Sequence, residues 1–345
     1  MTLARRRTPA DVPDEPGTHT TAVPRAGSGR VAAVAILFLV VAATHLAVSG
    51  QPLGAIAGLL DGTVNGQAEK IVWELGVPRL LTALLTGAAM GVSGFVLQAT
   101  LRNPLAAPEF SGVNPGAVLG ILGGLTLGLF PADSAAGALL AALAGGALGG
   151  GITWLLSAHR DPANLVVHGL LGSALLAGLT TMLLAYQPSR FGNALRWLIG
   201  SVDGRVWEHL AVASWWIAGG IAVAWACSGM LAVLSPSDDH AASLGLHPGL
   251  GRAVALTVAI ALTAGAASLS GAIAFVGLVT PHVARRLGGG VLTAAVAGAI
   301  ALAGADTLAQ LAGHLLNGTH RLGVPTGVIT ALAGSAILIR LGRSQ

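Results

Sequence analysis

Apolar residues along this chain gather into long unbroken runs rather than into alternating or one-sided stripes. The runs cover 31–48, 80–101, 113–130, 135–157, 165–187, 207–234, 253–269, 272–287, 291–312 and 324–341. A helix rises about 1.5 Å per residue, so roughly 20 apolar residues cross the hydrocarbon core of a bilayer. The pattern predicts about ten membrane-crossing helices joined by short polar turns. The 272–287 segment is the weakest of them, being short and interrupted by Pro281, and a re-entrant course there would change the parity of everything after it. Residues 1–30 hold Arg5, Arg6, Arg7, Arg25 and Arg30 without apolar periodicity and are expected to form a disordered basic tail. The 31–48 run is longer than a signal-peptide core and follows a long leader, so it is read as a retained first span, and 31–345 as one transmembrane domain.

Composition narrows the function. Of 345 residues, 54% are hydrophobic and 9% charged, whereas a soluble domain carries about 25% charged residues. No large catalytic domain outside the membrane is expected. Cys227 is the single cysteine, which excludes an intramolecular disulfide or a thiolate zinc cluster, and neither metal nor cofactor is expected. The one lysine, Lys70, follows Glu69, so the Gly-Lys-Ser/Thr ending of a phosphate-binding loop cannot occur, and ATP is not bound in that way. The remaining cations are arginines placed between apolar runs, where they mark topology rather than nucleic-acid contact. With residue 1 in the cytoplasm, Arg102, Arg160, Arg252, Arg285, Arg286, Arg340 and Arg343 join the N-terminal arginines inside. Lys70, Arg79, Arg190, Arg196, Arg205 and Arg321 fall outside. This asymmetry predicts both termini in the cytoplasm. Glycine and alanine crowd the spans and predict close helix packing.

Several motifs break the runs. Gln98-Ala99-Thr100-Leu101-Arg102-Asn103-Pro104-Leu105-Ala106 joins the second and third spans, and Asn114-Pro115 follows. Later come Phe275-Val276-Gly277-Leu278, Pro281-His282, Ala284-Arg285, Ala305-Asp306 and Gly323-Val324-Pro325-Thr326. Between the sixth and seventh spans, Ser235-Pro236-Ser237-Asp238-Asp239 is a helix-start signal, and Gly245 and Pro248 stop the helix, which predicts a short helix between two spans.

With Pro78-Arg79 and Ser93-Gly94, these motifs occur in an order that resembles the FecCD-type permeases over residues 72–342. Those are the membrane subunits of ABC importers for iron-siderophore complexes, haem and cobalamin. The resemblance implies a type II importer permease in the bacterial inner membrane, paired with a second permease subunit, two cytoplasmic ATPase subunits and an extracytoplasmic binding protein, with lipid around it. It implies an ATPase-coupling segment at Asp238, Asp239, Ala242, Gly245 and Leu246. Family-motif positions are Gln98, Arg102, Asn103, Pro104, Gly277, Pro281, His282 and Asp306. Relatives often carry two arginines around the Leu-Pro of the second helix and some carry another near the ninth. Here those positions hold Gly76, Arg79 and Gln310, so binding-protein docking is expected at Arg79, Gln310 and Arg321, or through a sister subunit. Ser93, His168 and Ser173 are candidates for lining the translocation path. Ferric siderophores are the expected cargo, with haem or cobalamin as alternatives.

Two rivals compete with this reading. Gly91-Val92-Ser93-Gly94 matches the Gly-x-Ser-Gly of intramembrane serine proteases, a cheap match among 50 glycines that close packing accounts for equally well. An ion-coupled transporter would need a titrating group in a span, for which Asp306, His168 and His45 are the candidates. The tryptophans around the sixth span, Trp197, Trp207, Trp215 and Trp216, read as interfacial anchors.

Overall fold

The protein was analysed as a computed structural model, which describes residues 28–48, 66–157, 162–186, 194–317 and 323–342. Residues 1–27 of the predicted tail and Arg321 lie outside these residues; its last three, Ser28 to Arg30, are not disordered but open the helix α1. Every regular element among the described residues is helical. In chain order they are α1 (Ser28–Val48), α2 (Gln67–Ile71), α3 (Val77–Leu101), α4 (Val113–Thr126), α5 (Ala135–Ser157), α6 (Pro162–Tyr186) and α7 (Ala194–Ile199). Then follow α8 (Trp207–Ala226), α9 (Ser228–Leu234), α10 (Asp238–Ser243), α11 (Pro248–Ser270), α12 (Val276–Arg286), α13 (Val291–Asn317) and α14 (Thr326–Gly342).

Each of the ten predicted crossings contains a helix, and the differences lie at polar or broken ends. The second starts earlier than its apolar run, because α2 continues through a π-helical turn at Val72–Gly76 into α3, with Glu69, Lys70 and Glu74 hiding the start. The 207–234 run is interrupted at Cys227 into α8 and α9. The 272–287 segment is helical only over α12, whose 11 residues extend about 16 Å, half a bilayer core.

The core is arranged around α3. In the span Glu69–Leu101, 72% of the most apolar window is buried, against 22% for α5, α6 and α8, which turn large apolar side chains such as Leu148, Leu175 and Trp215 outward. Such burial requires backbones to touch. A Cβ on Gly87 or Gly91 would strike the Gly298 or Ala294 carbonyl of α13, and one on Gly94 would strike the Gly277 carbonyl of α12. Gly116 and Gly145 make a second seam between α4 and α5. Small residues give these helices the dispersion contacts that lipid cannot supply. Gly94→Ala is therefore expected to lower the stability of the detergent-solubilised chain by about 1–3 kcal/mol. An unchanged thermal midpoint on size-exclusion chromatography would contradict the seam.

Between α11 and α12 the backbone leaves the helix, with Gly271 at φ +71° and Phe275 at φ +68°. Backbone without helical partners inside a membrane must be satisfied by protein. Ala272 N–H donates to the Trp197 carbonyl (3.1 Å), Ser201 N–H to the Ser270 carbonyl (2.8 Å) and Asn114 Nδ2 to the Ile273 carbonyl (3.1 Å). Phe275 N–H donates to the buried carboxylate oxygen Oε1 of Glu109 (2.7 Å). Gly327 N–H, at the start of α14, donates to the Gly200 carbonyl (3.0 Å). The break thus joins α4, α7, α12 and α14 at one place.

Candidate functional site

The sequence-predicted residues fall into two clusters at opposite ends of the bundle. At the first, Ser237 caps α10, its hydroxyl accepting the His240 N–H at 3.0 Å, and Asp238 and Asp239 occupy the positive first turn. Gly245, at φ +80°, closes the helix: its N–H meets the Ala242 carbonyl (2.9 Å), and the Leu246 N–H reaches back to Ala241 (3.0 Å). Asp239, Ala242, Leu244 and Gly245 are exposed, while Ala241 is buried beneath them.

Asp238 does more than cap. One of its oxygens accepts Arg102 Nη2 and Arg252 Nη2, each at 2.6 Å. Arg102 ends α3 in a left-handed conformation, φ 49°, and also donates from Nε and Nη2 to the Leu234 carbonyl (3.1 and 2.8 Å). One carboxylate thereby ties α10 to the end of α3 and the start of α11. Partial desolvation, the largest influence on Asp238, opposes ionisation, but the Arg102 hydrogen bond and the charges of Arg252 and Arg102 outweigh it and hold the carboxyl below its ordinary value. The pair is present above the ordinary aspartate range and is lost only as pH falls through the lowered value. Exposed pairs of this kind contribute about 1 kcal/mol or less, so the effect of this one is positional rather than stabilising.

Behind this cluster, Gln98 donates to the Leu278 carbonyl (3.1 Å) and accepts from Arg285, joining α3 to α12. Asn103 turns the chain after α3 by accepting the Leu105 N–H on its side chain (2.8 Å) and the Ala106 N–H on its carbonyl (3.0 Å), with Pro104 exposed beside it. Pro281 is buried within α12, and His282 Nδ1 contacts the Leu278 carbonyl at 2.9 Å. Ser93 is wholly buried, bonded to the Ala259 carbonyl (3.0 Å) and the Thr263 hydroxyl (2.8 Å), and so belongs to the α3–α11 packing. Ser173 accepts the Gly112 N–H (3.0 Å), and His168 stands half-buried one turn earlier on α6.

At the other end, Asp306 of α13 is fully buried and accepts five hydrogen bonds. Arg79 donates from Nε (2.7 Å) and Nη2 (3.0 Å), Gln310 from Nε2 (2.9 Å), Thr326 from its hydroxyl (2.6 Å), and His45 lies at 2.8 Å through Nε2. The second arm of Arg79 reaches Asp203 (2.9 Å), which also holds Arg196 (2.7 Å). Arg79 and Gln310, expected as free docking residues, are thus turned inward, with 18% of the Arg79 side chain exposed. His45, Arg196, Asp203 and Thr326 complete a network that links α1, α3, α13 and α14 to the α7–α8 turn.

Arg205 stands apart from that pairing. Its guanidinium lies 5.2 Å over the Trp197 ring, and its buried Nε has no acceptor among the described residues. Burial, then the Arg196 charge, push its pKa down to about 10 against the pull of Asp203, so it stays protonated at neutral pH. Trp197 lines a polar cavity of about 200 Å³ with Arg196, Ser201, Asp203, Gly204 and Arg205. No cluster of metal-ligating side chains occurs among the described residues.

Residues 31–344 match the family model of the FecCD transport family. The chain belongs to that family. It is 33% identical over 310 residues to the Fe(3+) dicitrate transport system permease protein FecD of Escherichia coli K12, covering 87% of this chain and 95% of that one. To the ferric enterobactin transport system permease protein FepG of the same organism it is 34% identical over 322 residues, covering 89% and 95%. To the vitamin B12 import system permease protein BtuC of Salmonella typhi it is 32% identical over 294 residues, covering 81% and 85%. A metal-chelate type ABC transporter solved in an inward-facing conformation shares the fold, with a TM-score of 0.73 over 91% of this chain and 98% of that one at 24% identity. Like other FecCD proteins, this chain is a multi-pass membrane permease of the ABC type.

Proposed function

We propose that this FecCD permease is the membrane-spanning half of an ATP-driven importer for ferric siderophore complexes, working by alternating access in the bacterial inner membrane with both termini in the cytoplasm. The observation that carries it is the Asp238 junction: an exposed, doubly capped helix fastened by charge to the most buried span. ATP hydrolysis comes from two cytoplasmic ATPase subunits that dock on Asp239, Ala242, Gly245 and Leu246, since the sequence holds no phosphate loop. A second permease subunit packs along α6, where Leu171, Leu175, Leu179 and Met182 form an outward apolar stripe. An extracytoplasmic binding protein delivers cargo at the opposite end, where Arg79 acts by fixing the α7–α8 turn through Asp203 rather than as a free contact.

Iron-citrate and enterobactin permeases among the relatives favour ferric siderophores, while the cobalamin permeases keep cobalamin as the second reading. Reconstitution of the permease pair with its ATPase and binding protein in liposomes, assayed against ferric siderophores, haem and cobalamin, tests both. Saturable, ATP-dependent uptake of a ferric siderophore is expected. Uptake by the permease alone, driven by a pH gradient without ATP, would overturn the assignment in favour of proton coupling through Asp306 or a histidine.

A further inference from the structure

Three arginines, Arg79, Arg196 and Arg205, stand near Asp203 at this end of the bundle, and among the described residues Arg205 is the one of them without an ion pair. Asp306 and Asp203 share Arg79, and the other oxygen of Asp203 is taken by Arg196. Both carboxylates are thereby used. Arg205, beside them, has no carboxylate of its own, and a buried guanidinium N–H without an acceptor is costly unless something brings one.

We propose that the cavity between α7 and the start of α8 is an anion subsite that receives a carboxylate of the chelate cargo, with Arg205 as its main cation. This rests on the importer reading above and deepens it, because it selects carboxylate-bearing ferric chelates over neutral ferric trihydroxamates and corrinoids. Three features support it. The planar guanidinium fork suits a carboxylate, and the cation–π contact with Trp197 holds the group in place before a ligand arrives. The Ser201 hydroxyl, which accepts the Asp203 N–H at 3.3 Å, keeps its own hydrogen for a second oxygen. The cavity also adjoins the place where α7, α14 and the α11–α12 break exchange backbone hydrogen bonds, which fixes its walls.

The test is equilibrium binding of radiolabelled ferric dicitrate and of a neutral ferric trihydroxamate to the full-length permease in nanodiscs, for the wild type, Arg205→Gln and Arg205→Lys. Wild type should bind ferric dicitrate, Arg205→Gln should weaken it roughly tenfold to a hundredfold, and Arg205→Lys should lose less because the charge remains. Neutral-complex binding should not change. Equal ferric dicitrate binding in wild type and Arg205→Gln, or no binding by folded wild type, overturns the subsite. Binding-protein affinity without cargo, measured on the assembled transporter, should be the same in Arg205→Gln; a fall would assign the carboxylate to the partner and overturn the cargo subsite. If Arg205→Gln does not fold, the contrast between the two chelates in Arg205→Lys decides: a selective loss of ferric dicitrate supports the subsite, and no loss overturns it. ATP-driven import confined to neutral chelates would overturn the subsite and leave the importer reading intact. Arg205-dependent citrate binding without ATP-driven uptake of any ferric chelate would do the reverse.

Discussion

Asp306→Ala should destabilise the permease by about 3–5 kcal/mol, the range for breaking a buried pair while leaving its partner charged. The substitution strips Arg79 of two hydrogen bonds and leaves His45, Gln310 and Thr326 without their shared acceptor in a region closed to water. Thermal unfolding in detergent, followed by size-exclusion recovery, measures the loss. The paired change Arg79→Met with Asp306→Leu separates charge imbalance from packing, because replacing both partners by apolar groups removes the unpaired charge. It should recover much of the stability while leaving Asp203 to Arg196 alone. A single variant as stable as wild type would show that the network does not hold the fold. Arg79→Glu, which sequence alone offers as a test of partner docking, would set a carboxylate against Asp306 and Asp203 and so report on the network first.

Arg102→Ala should separate ATP hydrolysis from transport in the reconstituted importer. The side chain holds the Leu234 carbonyl and Asp238 together, and its loss leaves Arg252 as the one cation on Asp238 among the described residues. Losing charge-assisted bonds that total about 1.4 kcal/mol shifts the balance between fastened and loose α10 roughly tenfold. Transport should fall by about that factor while ATPase association and hydrolysis continue. Arg102→Lys should fall between the two, since an ammonium cannot reproduce the two-pronged contact. Transport per ATP equal to wild type in Arg102→Ala would remove Asp238 from the coupling path.

How far the sequence could be read depended on whether the deciding interaction was local. The span count came from unbroken apolar runs, and α10 came from a start signal and a glycine stop within nine residues, all of which are nearest-neighbour physics. The six-residue α7 went unread, because Arg196 and Trp197 interrupt its short apolar pattern. Pro281 was visible, but the length of α12 was not, since its start at Phe275 depends on Glu109, 166 positions away. Asp306 and Arg79 stood out as charges near spans, yet their pairing crosses 227 positions and the contact with His45 crosses 261. A single sequence gives no register between helices that distant. The signal that was available for the Arg205 cavity was the group Arg196, Asp203, Arg205 and Glu208 within 13 residues, a concentration of charge between two apolar runs.

The left-handed Arg102 joint has a mechanical consequence. A pull on α10 enters α3 at its very end through a guanidinium rather than through a slack loop, so it acts as a crank on the shaft of the bundle. Because glycine contacts between backbones leave α3 no side-chain cushion against α12 and α13, the three turn together as one body. The compliance needed to open and close a path is left to the rim at α8, whose glycines meet open space or the Leu262 side chain rather than a neighbouring backbone.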